Sequence, residues 1–255
     1  MALNGNGSED MTVSLPKAVL IDLDDTIISF DQGVDLKQCW LRAIRARLPS
    51  VRDDAAKKLA ADIMARADWY WSDPERHRIG RRDLVSARQA FVSEALRAWG
   101  IPDPALARSL AVAYGEERDR QVKLFPGALE AIELFRTRGI KLALITNGSA
   151  DTQWAKIRRF NLSGLFDAIL IEGEVGVGKP EAGIYRLALE RLGATAEETW
   201  MIGDNFEWEI VAPQRLGIKG IWLDHAGAGV PDNAPSRPYR VIRSWGELLD
   251  AMRTE

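Results

Sequence analysis

Short apolar runs rich in Val, Ile and Leu recur along the chain, and each stops at a polar residue or glycine. Ala18 to Leu23 runs into the acidic cluster Asp22, Asp24 and Asp25. Ile140 to Ile145 precedes Thr146-Asn147-Gly148, and Phe166 to Ile171 precedes Glu172-Gly173. Thr199 to Ile202 precedes Gly203-Asp204, Gly220 to Leu223 precedes Asp224-His225, and Tyr239 to Ile242 closes the series. Runs of this length and composition suit strands buried on both faces, as in a parallel sheet. Amphipathic segments fill the gaps at Gly127 to Arg138, Thr152 to Phe160, Ala182 to Leu192 and Phe206 to Leu216. Gly139, Gly193 and Gly217 stand where C-caps belong. Strand and helix in alternation predict an α/β fold with a Rossmann-like parallel sheet.

Residues 31–120 break the alternation. They carry no strand-like run, are rich in Ala, Arg and Leu, and offer four helices: Leu36 to Leu48, Ala55 to Tyr70, Leu84 to Trp99 and Pro104 to Arg118. Asp73-Pro74, Gly80 and Gly100-Ile101-Pro102 punctuate them. The expected organisation is a leader over 1–11, a core formed by 12–30 and 121–255, and a helical unit over 31–120 inserted after the first strand. The leader is polar and Gly/Asn-rich, and is expected to be disordered.

Composition narrows the function classes. The 255 residues carry 34 basic and 37 acidic side chains, a net charge of -3. That balance gives no overall basic field for nucleic acid. No apolar run approaches the roughly 20 residues of a membrane span. Cys39 is the only cysteine, which rules out an intramolecular disulfide and fits a reducing compartment. The expectation is a soluble, cytoplasmic protein without nucleic-acid or membrane partners, acting as monomer or homodimer.

The candidate chemistry lies at the strand ends. In an open parallel sheet, ligands bind at the carboxyl edge, which would bring Asp22, Asp24, Thr146, Asn147 and Asp204 together. Each stretch alone has an ordinary alternative. Asp22-Asp24-Asp25 and Thr146-Asn147-Gly148 both have turn chemistry, Lys179 could be a solvated surface residue, and Asp204 could be a helix N-cap. Their order and strand-end placement favour one site. Three neighbouring carboxylates repel and raise one another's pKa, and a divalent cation taking oxygen ligands would offset that.

These residues carry a resemblance. Asp22-Leu23-Asp24-Asp25-Thr26, then Thr146-Asn147-Gly148, then Lys179-Pro180, then Gly203-Asp204 with an acidic residue five further on, resemble the four ordered motifs of the haloacid dehalogenase (HAD) superfamily. The helical insertion resembles a type 1 cap, as in phosphoglycolate phosphatases, N-acetylneuraminate phosphate phosphatases and nucleotidase-like enzymes. The resemblance implies a Mg²⁺-dependent phosphatase acting on a small phosphorylated metabolite through an aspartyl-phosphate. Asp22 would be the nucleophile and Asp24 the acid and base. Asp22, Asp204 and the backbone carbonyl of Asp24 would hold the metal. Thr146, Asn147, Gly148 and Lys179 would bind the phosphoryl group. A phosphomutase, a 2-haloacid dehalogenase and a non-catalytic binding protein are the alternatives on the same fold. Asp24 speaks against the dehalogenase, because a departing halide needs no proton.

The chain departs from that pattern at Glu209, where a second Asp is usual, and at Asn205, where Ser or Thr is usual. Both are expected to act one layer out, with Glu209 reaching either a water or Lys179. In the helical insertion, Trp71, Arg76, His77 and Arg78 join aromatic and cationic groups, and are candidates for substrate specificity. Packed aromatics beside a solvated basic connector are the plainer alternative.

Overall fold

The computed structural model describes residues 15–253, so the leader over 1–11 lies outside the described residues. The first strand, β1, spans Ala18–Ile21 and is buried throughout. Five helices follow: α1 at Leu36–Arg47, α2 at Asp53–Trp71, α3 at Pro74–Gly80, α4 at Leu84–Ala98 and α5 at Pro104–Gln121. Helices and strands then alternate, with α6 at Ala128–Thr137, β2 at Lys141–Thr146, α7 at Ala150–Arg159, β3 at Ala168–Ile171, α8 at Glu172–Val175, α9 at Ala182–Leu192 and β4 at Thr199–Gly203. A π-helical stretch over Phe206–Val211 leads into a short α10 at Ala212–Gln214, and β5 at Lys219–Leu223, β6 at Arg240–Ile242 and α11 at Trp245–Arg253 complete the chain.

The strands form one six-stranded sheet in the order β3-β2-β1-β4-β5-β6, with every pairing parallel. Alternate residues of each strand point to opposite faces. Val19, Ile21, Leu142 and Leu144 face a core shared with Ile132, Phe135, Trp245 and Leu248. Leu20, Ala143 and Ile145 face another, shared with Ile184, Tyr185 and Ala188. Helices therefore cover both faces, and the polar ends of the strands gather at one edge. β1 lies between β2 and β4, where the strand order reverses direction, and this is where such sheets bind ligands.

Helices α1, α2, α4 and α5 bury their own apolar cluster, built on Trp40, Ile44, Leu59, Ile63, Phe91, Val92, Leu96 and Leu110. The two segments joining this unit to the sheet run side by side. Ser29 N–H donates to the Lys123 carbonyl at 2.8 Å, and Phe125 N–H to the Ile27 carbonyl at 2.9 Å. Asp25 fixes the first of them. Its carboxylate accepts the backbone N–H groups of Phe30, Asp31 and Gln32 at 2.7 to 3.1 Å, and its carbonyl bonds the His225 ring at 2.8 Å. Among the described residues, no helix is long and apolar enough to cross a membrane.

Several elements differ from the expectation. The basic connector after Trp71 contains a helix, α3, because Asp73 caps it by accepting the Arg76 N–H at 2.8 Å and Pro74 fits its first turn. The helix expected over Phe206 to Leu216 is π-helical in its first part. Helix α11 was not anticipated.

Candidate active site

Asp22 follows β1 directly and is 6% exposed. Its backbone N–H continues the ladder to the Ile202 carbonyl at 3.0 Å, which pins the carboxylate at the sheet edge. One carboxylate oxygen accepts the Thr26 hydroxyl at 2.9 Å, and the other accepts Lys179 Nζ at 2.5 Å. Lys179 is 1% exposed and also donates to Glu209 at 2.7 Å. The second Glu209 oxygen accepts the Asn205 N–H at 2.7 Å, and the Asn205 side chain accepts the Trp208 N–H at 3.1 Å. Gly203 makes this possible, because a Cβ there would lie 2.1 Å from Glu209 Cγ. Glu209 thus meets Lys179 directly, one of the two roles expected for it.

Asp24 turns the other way. Both its oxygens accept Lys156 Nζ, at 2.7 and 2.8 Å, and Gln153 adds a bond at 2.8 Å. The same Gln153 amide donates to the Thr146 hydroxyl. Asn147 clasps the Lys179 backbone in both directions, each bond 2.8 Å. The expectation that Gly148 offers its N–H to a phosphoryl oxygen needs correction: this N–H donates to Glu172 at 3.0 Å. The Asn147 side-chain amide positions Lys179. Glu172, buried after β3, also accepts Arg81 of the helical unit at 2.7 and 2.8 Å, and Arg82 at 3.1 Å.

Asp22, Asp24, Thr146, Asn147, Gly148, Lys179, Asp204, Asn205 and Glu209 line one cavity of about 240 Å³. His77, Arg81 and Leu84 close it from the helical unit, and Trp208 from the core. His77 packs edge-on against Trp71 and against Trp208, with ring centroids 5.4 Å apart in each case. Arg76 and Arg78 are corrections, for they do not line this cavity. Arg76 lies 3.8 Å from the centroid of the Trp69 ring and bonds the Trp69 and Tyr70 carbonyls. Arg78 pairs with Glu75 at the surface. Sequence reasoning also passed over Gln153, Lys156, Glu172 and Arg81. The polar pair Gln153 and Lys156, three apart on the buried side of an amphipathic helix, was a usable signal.

The electrostatics are those of crowded carboxylates. Burial pushes the Asp22 carboxyl up, and Lys179 opposes it. Burial alone would lower the Lys179 amine, but the Asp22 and Glu209 charges outweigh it and hold the pKa above its usual range. Glu209 is raised to about 7 by burial and by Asp22, against the pull of Lys179. Asp204 is raised to about 9, by burial first and then by repulsion from Glu209 and Asp22. A divalent cation beside Asp204 and Asp22 would relieve that repulsion. No group of three or more His, Cys, Asp or Glu side chains among the described residues is spaced to hold a metal. The donors expected for a metal, the Asp22 and Asp204 carboxylates and the Asp24 carbonyl, are all oxygen. Such a set suits a hard cation that keeps water and substrate oxygens as its remaining ligands.

A family model described as haloacid dehalogenase-like hydrolase matches residues 16–217. The chain belongs to the haloacid dehalogenase-like hydrolase family. A phosphoserine phosphatase from Thermus thermophilus is 32% identical, over 94% of this chain and 99% of its own. A glyceraldehyde 3-phosphate phosphatase from Methanopyrus kandleri is 29% identical, over 93% and 97%. In structure, the HAD-hydrolase YfnB from Bacillus subtilis, described as bound to magnesium, aligns with a TM-score of 0.67 at 22% identity, covering 92% of this chain and 98% of its own. That similarity carries the fold: a Rossmann-like core with an added helical unit. As a member of this hydrolase family, the chain is an enzyme.

Proposed function

We propose that this hydrolase is a Mg²⁺-dependent phosphatase that cleaves a small phosphorylated metabolite through an aspartyl-phosphate on Asp22. The observation that carries the reading is the buried Asp22 carboxylate at the strand-order reversal, held between Lys179 and Thr26 and facing Asp204. The relatives named as phosphatases of phosphoserine and of glyceraldehyde 3-phosphate support a short ester.

An Asp22 oxygen attacks phosphorus, the bond to the leaving oxygen breaks, and Asp24 gives that oxygen a proton. Asp24, which enters the cycle protonated, then takes a proton from the water that attacks phosphorus; the Asp22–phosphorus bond breaks, inorganic phosphate leaves, Asp22 is again a carboxylate and Asp24 is again protonated. Lys156 and Gln153 hold the Asp24 carboxylate in place for both transfers. Lys179 places a fixed positive charge beside the nucleophile and the incoming phosphoryl oxygens. The Thr146 hydroxyl, oriented by the bond it accepts from Gln153, donates to the phosphoryl group. Asp22, Asp204 and the Asp24 carbonyl would hold Mg²⁺, which when bound neutralises phosphoryl charge. The helical unit over 31–120 acts as a cap that swings on the paired segments near Phe30-Asp31 and 120–125, and closure excludes water.

The test is phosphate release from a panel of phosphorylated metabolites that includes phosphoserine and glyceraldehyde 3-phosphate, with Mg²⁺ and with a chelator. Release from some members, lost in chelator, is expected. Isomerised phosphate ester without release, or halide release from a 2-haloacid, would replace the reading with the mutase or the dehalogenase.

A second test follows from the raised carboxyls. Asp204 near 9 and Glu209 near 7 both lie above the values of about 4 that they take in an unfolded chain. The folded state then holds the proton more tightly. That stabilisation is complete below the unfolded pKa and is lost as pH rises through the folded one. In chelator, Tm should fall between pH 6 and pH 9. Mg²⁺ replaces the proton at Asp204, so its Tm gain should be larger at pH 8 than at pH 6. An equal gain at both values, read by differential scanning fluorimetry, would contradict the metal placement.

A further inference from the structure

A second cavity, of about 320 Å³, lies within the helical unit. Asp31, His77, Arg81 and Leu84 line both it and the Asp22 cavity, so the two adjoin. Its walls include Trp40, Trp71, Phe91 and Tyr114. Trp40 and Tyr114 stack with centroids 3.9 Å apart, and Phe91 meets Trp40 edge-on at 6.3 Å. Into this aromatic space the chain sets Arg88, which is 6% exposed.

A buried cation without a partner is costly. The neighbouring Arg118 has partners: it donates to the Phe30 carbonyl at 3.0 Å and pairs with Asp31. Arg88 forms no ion pair with any carboxylate among the described residues; its guanidinium instead lies 5.1 Å from the centroid of the Tyr114 ring. Burial and the nearby Arg118 lower its pKa to about 10, which leaves it charged at neutral pH. The fold also makes room for it. Gly115 on α5 faces the guanidinium from α4, and a Cβ there would sit 2.8 Å from Arg88 Nη1.

We propose that Arg88 is an anion-binding subsite for the far end of the substrate: the phosphate ester attacked at Asp22 carries a second anionic group, a carboxylate or a second phosphate, which seats on Arg88 between aromatic walls. The ligand spans the two adjoining cavities past His77 and Arg81. Asp31 and Asp68 also line this cavity, but Asp31 pairs with Arg118 and neither pairs with Arg88, so the ligand supplies the partner that Arg88 lacks. An ester of the same length with a neutral end leaves the guanidinium buried and unpaired, and this is how such sites discriminate. The inference deepens the phosphatase reading and rests on it for the phosphoryl end.

Equilibrium binding tests it without turnover. Asp22→Asn protein in Mg²⁺ is titrated calorimetrically with 3-phosphoglycerate and with glycerol 3-phosphate, which differ at the far end by a carboxylate against an alcohol. A sugar bisphosphate and its monophosphate form a second pair, which separates carboxylate from phosphate as the anion. The anionic member of at least one pair is expected to bind roughly ten- to a hundredfold more tightly. Adding Arg88→Met should shrink that preference to about twofold or less, and Arg88→Lys should restore part of it. Gly115→Ala, which displaces the guanidinium without removing its charge, should also reduce it, and carries the test if Arg88→Met does not fold. No preference in either pair, or a preference untouched by the Arg88 and Gly115 variants, overturns the subsite. Phosphate release by the wild-type chain is measured in parallel. Release without discrimination sinks the subsite alone, whereas Arg88-dependent discrimination without release keeps the subsite and sinks the phosphatase.

Discussion

Asp22→Asn should lower phosphate release by about 10⁴-fold or more while the protein stays folded. The amide has the shape of the carboxylate but is not a usable nucleophile toward phosphorus. Its carbonyl oxygen can still accept Lys179, and Lys179 keeps Glu209 at 2.7 Å. Removing one negative charge also eases the repulsion on Asp204, to which Asp22 contributes. Tm in chelator should therefore hold or rise as activity disappears. Circular dichroism, Tm and phosphate release measured on one preparation separate the two effects. Full activity in this variant would remove Asp22 from the nucleophile's role, and lost activity with lost structure would make its role one of folding.

Lys179→Met should act on both activity and stability. The methionine keeps most of the buried stem but removes the only Lys or Arg paired with Asp22 and Glu209 among the described residues. Breaking a buried pair from one side costs about 3–5 kcal/mol, because the remaining charges have no counterion. Two carboxylates lose their cation here, and Asp204 stands close by. They can recover part of the loss by taking up protons, so the variant should be weakest where protons are scarce. Urea unfolding in chelator should show a larger loss of stability at pH 8 than at pH 5. An unchanged midpoint at pH 8 would mean that Lys179 is not the counterion of this cluster. Phosphate release should fall as well, since the charge beside the nucleophile is gone.

The parts of the structure legible in the sequence are those governed by local pattern. The runs starting at Ala18, Ile140, Phe166, Thr199 and Gly220 read as strands because a sheet covered by helices on both faces needs continuous apolar stretches. The strand-end rule then gathered Asp22, Asp24, Thr146 and Asp204 without any knowledge of contacts. Helix α11 was readable too, since Trp245, Leu248, Leu249 and Met252 recur at helical spacing and all are buried. Helix α3 carried its own start signal in Asp73-Pro74, obscured by a basic, seven-residue sequence with little apolar face. The π-helical stretch after Asn205 had no such signal. It forms where Glu209 must reach both Lys179 and the Asn205 N–H. Arg81 and Glu172 stand 91 residues apart, and only the folded chain relates them. Arg88 was hidden for the same reason: on a helix, a buried arginine and a solvated one look alike in sequence.

Asp25, the one member of the opening acidic cluster without chemistry of its own, ties the start of the connecting segment to the turn after β1. Glu172 makes a comparable tie at the other side of the cavity, and its consequence is wider. One carboxylate holds the Gly148 N–H, beside Thr146, and the Arg81 guanidinium of the helical unit. Neither can shift far without loosening the other's partner. The inserted helices are thereby fastened to the sheet edge by a buried ion pair as well as by the two connecting segments, so that removing the Glu172 carboxylate would leave the Arg81 guanidinium and the Gly148 N–H without their shared partner at once.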